Sequence, residues 1–201
     1  MNVGLFGGTF NPPHRGHIAA AGAAREALGL DRLILMPAGL PPHKVLPSET
    51  PAPEHRLAMT TICAQALGGG AEAWDWELDG RVHYTADTLA RLRAAFPEDA
   101  LTLLVGADMF LTLTRWKRPE DIFALCRVGV FARRRGQNEA LERHGEALTR
   151  DWGARIDIIP LEAVEISSSA LRGVLASGGG EHYLAPEVWR YIRRHGLYGC
   201  S

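Results

Sequence analysis

Residues 7–17 read Gly7-Gly8-Thr9-Phe10-Asn11-Pro12-Pro13-His14-Arg15-Gly16-His17, and this stretch decides the fold of the chain. It follows an apolar run at 3–6 that predicts a strand, and it precedes an alanine-rich segment that predicts a helix. A strand, a glycine turn and a helix N-terminus together suit an anion, because free backbone N–H groups and the helix dipole both favour negative charge there. His14 and His17, spaced i and i+3, would lie on one face of the first helical turn. The stretch therefore predicts a phosphate-binding turn flanked by two histidines.

The composition fits one globular domain. The chain has 201 residues, of which 46% are hydrophobic, and no low-complexity linker divides it. We therefore predict a single domain over residues 1–201, with a C-terminal helical part at about 167–201 packed on it. The net charge of −1, from 22 basic and 23 acidic residues, gives no argument for a nucleic-acid or membrane-surface partner. The oligomeric state stays open, and a homo-oligomer remains compatible with the sequence.

The three cysteines point to a reducing compartment. Cys63, Cys126 and Cys200 are far apart and odd in number, which argues against a disulfide framework or a structural zinc site. No apolar run reaches the roughly 18 residues of a membrane-spanning helix. A soluble cytoplasmic protein is expected.

Predicted strands alternate with predicted helices along the chain. The strands are expected at about 2–6, 31–36, 71–78, 101–105, 127–132 and 156–159. The helices are expected at about 15–29, 54–67, 84–96, up to 152 after the fifth strand, from the serine cluster at 167–169, and at 187–195. This alternation predicts a three-layer α/β fold with a mostly parallel, doubly wound sheet.

Chemically suggestive residues follow several of these strands. Residues 43–44 lie in a proline-rich loop after the second strand, Gly106 to Asp108 follow the fourth, and Arg133 follows the fifth. A serine cluster leading to Arg172 follows the last. Ligands bind at the carboxyl ends of parallel strands, so these segments are expected to meet at one edge of the sheet. The alternatives are a solvated loop tip at 43–44, a solvated loop at 134–135, and a helix cap with a solvated arginine at 167–172.

Two motifs carry a family resemblance: His14-Arg15-Gly16-His17 and Ile166-Ser167-Ser168-Ser169-Ala170-Leu171-Arg172. They resemble the signatures of the nucleotidyltransferase superfamily, and the whole chain looks closest to the bacterial nicotinate-nucleotide adenylyltransferases within it. Further matches to that family are Pro41-Pro42-His43-Lys44, Tyr84-Thr85-Ala86-Asp87-Thr88-Leu89, Val105-Gly106-Ala107-Asp108 with Trp116 downstream, and the ending from Tyr183 to Tyr198. The resemblance implies a Rossmann-like nucleotidyltransferase fold.

The resemblance also implies a reaction. The family joins nicotinate mononucleotide to the AMP part of ATP, which releases pyrophosphate and forms deamido-NAD, a step of NAD biosynthesis. The nucleophile is a phosphate oxygen that is already anionic, so catalysis reduces to aligning two polyanions and stabilising charge. ATP and nicotinate mononucleotide are the expected partners. Mg²⁺ is expected to arrive with ATP, held mainly by phosphates and water, because no carboxylate cluster suggests a metal site built by the protein.

The resemblance assigns roles to residues of this chain. The catalytic group would be His14, His17 and Arg172, with His17 at the α-phosphate. The ATP-binding group would be Gly7, Gly8, Thr9, Phe10, Gly106, Arg133, Ser167 and Ser168, with Ser169 expected to serve only as the helix cap. The mononucleotide group would be Lys44, Thr85, Asp108 and Trp116, with the Trp116 ring stacked on the pyridine. The remaining tryptophans are expected to pack: Trp74, Trp76, Trp152 and Trp189.

Three positions depart from the family pattern: Asn11 replaces an aspartate, Ser169 a threonine, and His83 a small serine.

Two alternative functions remain open. A sister adenylyltransferase would take nicotinamide mononucleotide, because carboxylate and carboxamide differ by few contacts. A non-catalytic nucleotide sensor would bind the same ligands without turnover, although the intact histidines and arginine argue against it. A phosphopantetheine or cytidylyl transferase would share the first motif but lack the surroundings of Thr85 and Trp116.

Overall fold

The described part of the chain forms a sheet of six parallel strands. A computed structural model describes residues 1–42, 45–132, 138–161 and 166–200. The strands are β1 (Asn2–Gly8), β2 (Arg32–Pro37), β3 (Ala71–Ala73), β4 (Ala100–Gly106), β5 (Arg127–Ala132) and β6 (Ile156–Pro160). They are ordered β3-β2-β1-β4-β5-β6, and every neighbouring pair is parallel. This order confirms the predicted doubly wound sheet, whose winding reverses between β1 and β4.

Helices connect the strands and cover the sheet. The described α-helices are α1 (Arg15–Leu28), α2 (Pro53–Leu67), α3 (Thr85–Ala95), α4 (Ala107–Phe110), α5 (Pro119–Leu125), α6 (Asn138–Trp152), α7 (Ser168–Ala176) and α8 (Pro186–Arg194). Helices α2, α5 and α8 begin with proline, which a first helical position tolerates because its missing N–H has no intrahelical acceptor. Among the helices of the described ranges, none is long and apolar enough to cross a membrane.

The core has two apolar layers, one on each face of the sheet. Val3 and Leu5 of β1 belong to one layer and Phe6 to the other, as the two-residue repeat of a strand requires. Helices α3, α5 and α6 contribute to the first layer, whereas α1, α2, α7 and α8 contribute to the second. Because both faces are covered, the central strands are apolar along most of their length.

Helix α1 is placed by its two ends and a face of small residues. His14 is its N-cap residue, and Gly29 ends it with a φ of 56°, in the left-handed region that glycine adopts readily. Its buried residues are Ala20, Ala21 and Ala24, which allow the helix to lie close to the sheet. The first turn of α1 is therefore held at the carboxyl end of β1.

The strand predicted over 71–78 is shorter in the structure. It ends at Ala73, although the N–H of Trp74 still donates to the carbonyl of Leu35 on β2. The alternation of aromatic and acidic residues does not mark a longer strand. The rings of Trp74 and Trp76 contact each other, with centroids 4.6 Å apart, and both pack against the first core layer.

Candidate active site

A cavity of about 820 Å³ opens at the carboxyl ends of β1 and β4, where the winding of the sheet reverses. Doubly wound sheets bind ligands at this position, and the volume is that of a small-molecule site. Its wall contains residues 5–9, 36, 38–42, 77, 83–85, 103–106, 109 and 115–117. Six of the predicted site residues lie in this wall: Gly7, Gly8, Thr9, Thr85, Gly106 and Trp116.

At two glycines on neighbouring strands, no side chain projects from the cavity wall. Gly7 lies on β1 and Gly106 ends β4. A Cβ atom added to either residue would meet no heavy atom within 4 Å, and neither has the positive φ that favours glycine. Since neither the backbone nor internal packing requires glycine here, the missing side chains leave room for a ligand.

The structure brings His14 and His17 together beside the wall residue Phe6. Their ring centroids are 3.9 Å apart, and the His17 ring lies 6.1 Å from that of Phe6. The Nδ1 atom of His14 accepts the N–H of Gly16, and the Nδ1 atom of His17 accepts the N–H of His14, each at 3.2 Å. A ring nitrogen that accepts a hydrogen bond carries no proton, so the N–H of each ring is at Nε2. The backbone at the start of α1 thus orients both imidazoles and places the ring proton of each at Nε2.

The second motif contacts the stretch 7–17, hereafter called the first motif because it ends in the two histidines. The hydroxyl of Ser168 donates to the carbonyl of Pro12 at 2.9 Å, and the Nη1 atom of Arg172 donates to the carbonyl of Asn11 at 2.8 Å. The two motifs, far apart in the chain, therefore meet at the end of β1 as the sequence predicts. An arginine has five N–H donors, so this bond leaves others for a ligand.

The N-cap residue of α7 is Ser167, and the prediction of Ser169 for this role was wrong. Ser167 has an extended backbone, with φ −103° and ψ 154°, and its hydroxyl accepts the N–H of Ala170 at 3.1 Å. Ser169 lies within the helix, where its hydroxyl is 3.4 Å from Nη2 of Arg172. The N-cap is the last residue before the helical backbone begins. A run of three serines in the sequence does not show at which of them the helix starts.

Asn11 joins three separate segments behind the first motif. It is 1% exposed; its Oδ1 atom accepts the hydroxyl of Tyr198 at 2.8 Å, and its amide donates to Oγ1 of Thr50 at 3.0 Å. Burial raises the pKa of Tyr198, so the phenol keeps the proton that it donates. The side-chain amide of Asn11 accepts one hydrogen bond and donates another. The asparagine that replaces the family's aspartate therefore has a structural role. The sequence carries no signal for this contact, because Tyr198 is 187 positions away.

The start of α3 also lies in the cavity wall. Thr85 is its first residue, and the N-cap residue Tyr84 makes no side-chain capping bond. The first N–H groups of a helix have no intrahelical acceptor, so this end suits an anion. Trp116 is half-buried between the core and the cavity, and its neighbours Arg115 and Lys117 also lie in the wall. The Lys117 ammonium is 3.9 Å from the centroid of the Tyr84 ring.

Glu77 is a wall residue that the sequence interpretation missed. Its Oε1 atom accepts the hydroxyl of Thr88 at 2.6 Å, and its carbonyl accepts the N–H of Gly39 at 3.0 Å. Burial raises the pKa of the Glu77 carboxyl. His83, also in the wall, has its Nε2 atom 2.7 Å from a carboxylate oxygen of Asp79. Glu77 therefore ties the segments that follow β2 and β3 to the first turn of α3.

Other predicted site residues lie away from the cavity wall or outside the described residues. Phe10 is 1% exposed as a whole residue, belongs to the core, and is not one of the described residues of the wall. Asp108 is exposed in the first turn of α4 and is not one of the described residues of the wall. Lys44 and Arg133, together with residues 43 and 134–135, lie outside the described residues.

In the part of the chain that the structure describes, metal ligands and reactive thiols are not gathered at this site. Among the described residues, no group of three or more His, Cys, Asp or Glu side chains could hold a metal ion. The cysteines are buried and free, and burial raises the pKa of Cys63 and of Cys126 to about 12. These two thiols therefore stay protonated at neutral pH.

The fold and the joined motifs define a nucleotide-binding α/β protein, and a family model described as cytidylyltransferase-like matches residues 5–174. The relatives are more specific. Proteins named "Probable nicotinate-nucleotide adenylyltransferase" from Pelodictyon phaeoclathratiforme and Laribacter hongkongensis are 38% and 40% identical to this chain; the matches cover 98% of it and 92% and 94% of those proteins. The chain belongs to the nicotinate-nucleotide adenylyltransferase family.

A solved structure shares the fold. The nicotinic acid mononucleotide adenylyltransferase of Plasmodium falciparum, solved in complex with NaAD, superposes with a TM-score of 0.76 at 18% identity. The match covers 100% of this chain and 98% of that one. The agreement over the full length confirms the Rossmann-like nucleotidyltransferase fold.

Proposed function

We propose that this protein transfers the adenylyl group of ATP to nicotinate mononucleotide, forming deamido-NAD and pyrophosphate. The observation that carries the proposal is a cavity whose wall contains both the glycine turn after β1, residues 7–9, and the start of α3. A dinucleotide is assembled from two anionic halves, and this cavity offers donors to both. The names of the curated relatives support the same reaction.

The chemistry needs alignment more than it needs a reactive side chain. A phosphate oxygen of the mononucleotide attacks the α-phosphorus of ATP; the new P–O bond forms as the bond to the β-phosphate oxygen breaks, and pyrophosphate leaves with that electron pair. His17 donates from Nε2 to the α-phosphate, where charge develops, and His14 supports the neighbouring phosphate. The backbone of residues 7–10 and Gly106 surrounds the nucleotide. Preorganised donors of this kind stabilise the transition state without reorganisation.

The second motif binds the leaving group in this proposal. Ser167, Ser168 and Arg172 lie at or near the N-terminus of α7, a position that favours anions. Arg172 keeps its bond to the first motif through Nη1 and offers its remaining N–H groups to the β- and γ-phosphates. Arg133 joins them by its place after β5.

The acceptor nucleotide occupies the α3 side of the cavity. The nicotinate carboxylate lies at the N-terminus of α3 by Thr85, the pyridine stacks on Trp116, Asp108 binds a ribose hydroxyl, and Lys44 approaches the phosphate. Two cations of the wall, Arg115 and Lys117, make this side more favourable for a carboxylate than for a neutral carboxamide.

Mg²⁺ enters with ATP in this proposal. The ion is held mainly by phosphate oxygens and water. The ion supplies partial neutralisation of the triphosphate charge. The protein side chains then act on the phosphates through hydrogen bonds.

The proposal is tested by pyrophosphate release on mixing the protein with ATP, Mg²⁺ and either nicotinate or nicotinamide mononucleotide, with the dinucleotide identified by mass. We expect turnover with the acid form and a higher kcat/KM for it. A preference for the amide would overturn the substrate assignment. No release with either nucleotide, alongside measurable ATP binding, would identify a sensor instead.

A further inference from the structure

A buried arginine lies directly behind the first motif. Arg56, on α2, is 1% exposed. Its Nη1 atom donates to the carbonyl of Thr9 at 2.9 Å and to the carbonyl of Ala38 at 2.6 Å. Thr9 follows β1 and Ala38 follows β2, and both lie in the cavity wall. One nitrogen thus joins two loops that follow neighbouring strands.

The charge of this arginine is only partly compensated among the residues that the structure describes, because the nearby Glu54 raises its pKa but forms no ion pair with it. None of the ion pairs found there includes Arg56, and its Nε atom is buried without a hydrogen-bond partner. Burial lowers its pKa, but a guanidinium keeps its proton at neutral pH. A buried cation without a paired anion is costly, so a stabilising partner is expected when the protein works.

The bond to Thr9 also orients the backbone of the first motif. A trans peptide is planar, with its C=O and N–H pointing to opposite sides. The carbonyl of Thr9 points to Arg56, behind the wall, so the N–H of Phe10 points to the other side of the loop. The peptide group between Thr9 and Phe10 is therefore held in one orientation, directly after the wall residue Thr9.

We propose that Arg56 is a positioning residue for the phosphates of ATP: it fixes the carbonyls of Thr9 and Ala38, holds the loop between them and β1 in place, and supplies a positive charge behind that loop. This inference rests on the proposed function, because it assigns ATP phosphates to the first motif. The triphosphate then compensates the rest of this charge. Arg56 acts through the loop and touches neither substrate.

Binding of a non-hydrolysable ATP analogue with Mg²⁺, measured by calorimetry, tests this role without requiring turnover. Arg56→Met removes the charge and both bonds, and Arg56→Lys keeps the charge and a nitrogen donor. The matched control is Arg25→Met, because one nitrogen of Arg25 also binds several carbonyls, those of residues 67–69, away from the cavity wall. Melting temperatures of the free proteins are measured in parallel.

We expect Arg56→Met to weaken analogue binding about tenfold or more, the scale of a lost charge-assisted hydrogen bond. Arg56→Lys should recover most of the affinity, and Arg25→Met should lower the melting temperature without weakening binding. If Arg56→Met does not fold, Arg56→Gln replaces it with the same expectation. Wild-type affinity in the charge-removing variant, or an equal loss in the Arg25 control, would overturn the role. A wild-type protein that binds the analogue but forms no deamido-NAD would overturn the proposed function alone.

Discussion

Replacing His17 by asparagine separates its two functions in the structure. The Nδ1 atom of His17 accepts the N–H of His14 at 3.2 Å and so helps to begin α1, whereas Nε2 carries the donor proposed for the α-phosphate. An asparagine oxygen can take the place of Nδ1, but nothing in that side chain reaches the position of Nε2. Glutamine does the reverse, because its amide nitrogen reaches the position of Nε2 and the acceptor near the backbone is lost.

The two losses differ in size. Loss of one transition-state donor costs about 100- to 1,000-fold in kcat, about 2.7–4 kcal/mol. Loss of a helix-start bond costs about 0.5–2 kcal/mol of folding stability and little activity. We therefore expect His17→Asn to lose about 100- to 1,000-fold in kcat with a melting temperature near that of the wild type. We expect His17→Gln to keep far more activity and to melt earlier.

Steady-state pyrophosphate release and thermal unfolding of the same preparations measure both quantities. His17→Ala, which lacks both groups, should combine the two losses. If His17→Asn keeps kcat within about threefold of the wild type, His17 is a structural residue of the α1 start and has no part in the transition state.

Three further substitutions test the cavity. Trp116→Ala should raise the KM for the mononucleotide about tenfold or more, since stacking on an aromatic ring is worth about 1–3 kcal/mol; an unchanged KM in steady-state assays would leave Trp116 a packing residue only. Gly106→Ala should not lower the melting temperature, because its φ of −74° suits alanine and its Cβ meets no neighbour, but it should weaken binding of the ATP analogue; wild-type affinity would refute the view that this glycine leaves room for a ligand. Glu77→Gln should stabilise the free protein at pH 7: a raised carboxyl pKa means that the wild type loses stability as the pH rises above the ordinary value of 4.5. Urea unfolding should then show that the difference in free energy of unfolding between variant and wild type vanishes near pH 4. A wild type more stable than the variant at pH 7 would contradict the raised pKa of the Glu77 carboxyl.

Local patterns in the sequence were sufficient to predict most helices and strands and the position of the candidate site. Apolar runs ended by glycine or proline predicted most strands and helices within a few residues, because turn chemistry is local. The parallel sheet then placed the first motif and the start of α3 at one edge. The strand predicted beyond Ala73 was wrong, because the alternating tryptophans pack on each other and on the core rather than across a sheet.

Contacts between distant segments could not be predicted in the same way. Arg56 occupies an ordinary position in the first turns of α2, and only the folded chain shows that it reaches a carbonyl 47 positions away. The bond between Arg172 and Asn11 spans 161 positions. The choice of Ser167 as the α7 cap depends on where helical backbone begins. The single domain over 1–201 and the ligand roles of Lys44, Arg133 and Asp108 stay predictions.

A crystal structure of the protein with deamido-NAD tests the central claim most directly. We expect the adenylate phosphate within hydrogen-bond distance of Nε2 of His17, and the pyridine ring stacked on Trp116 with its carboxylate at the N-terminus of α3. A dinucleotide bound with its phosphates away from the first motif, or with the pyridine outside the cavity, would contradict it.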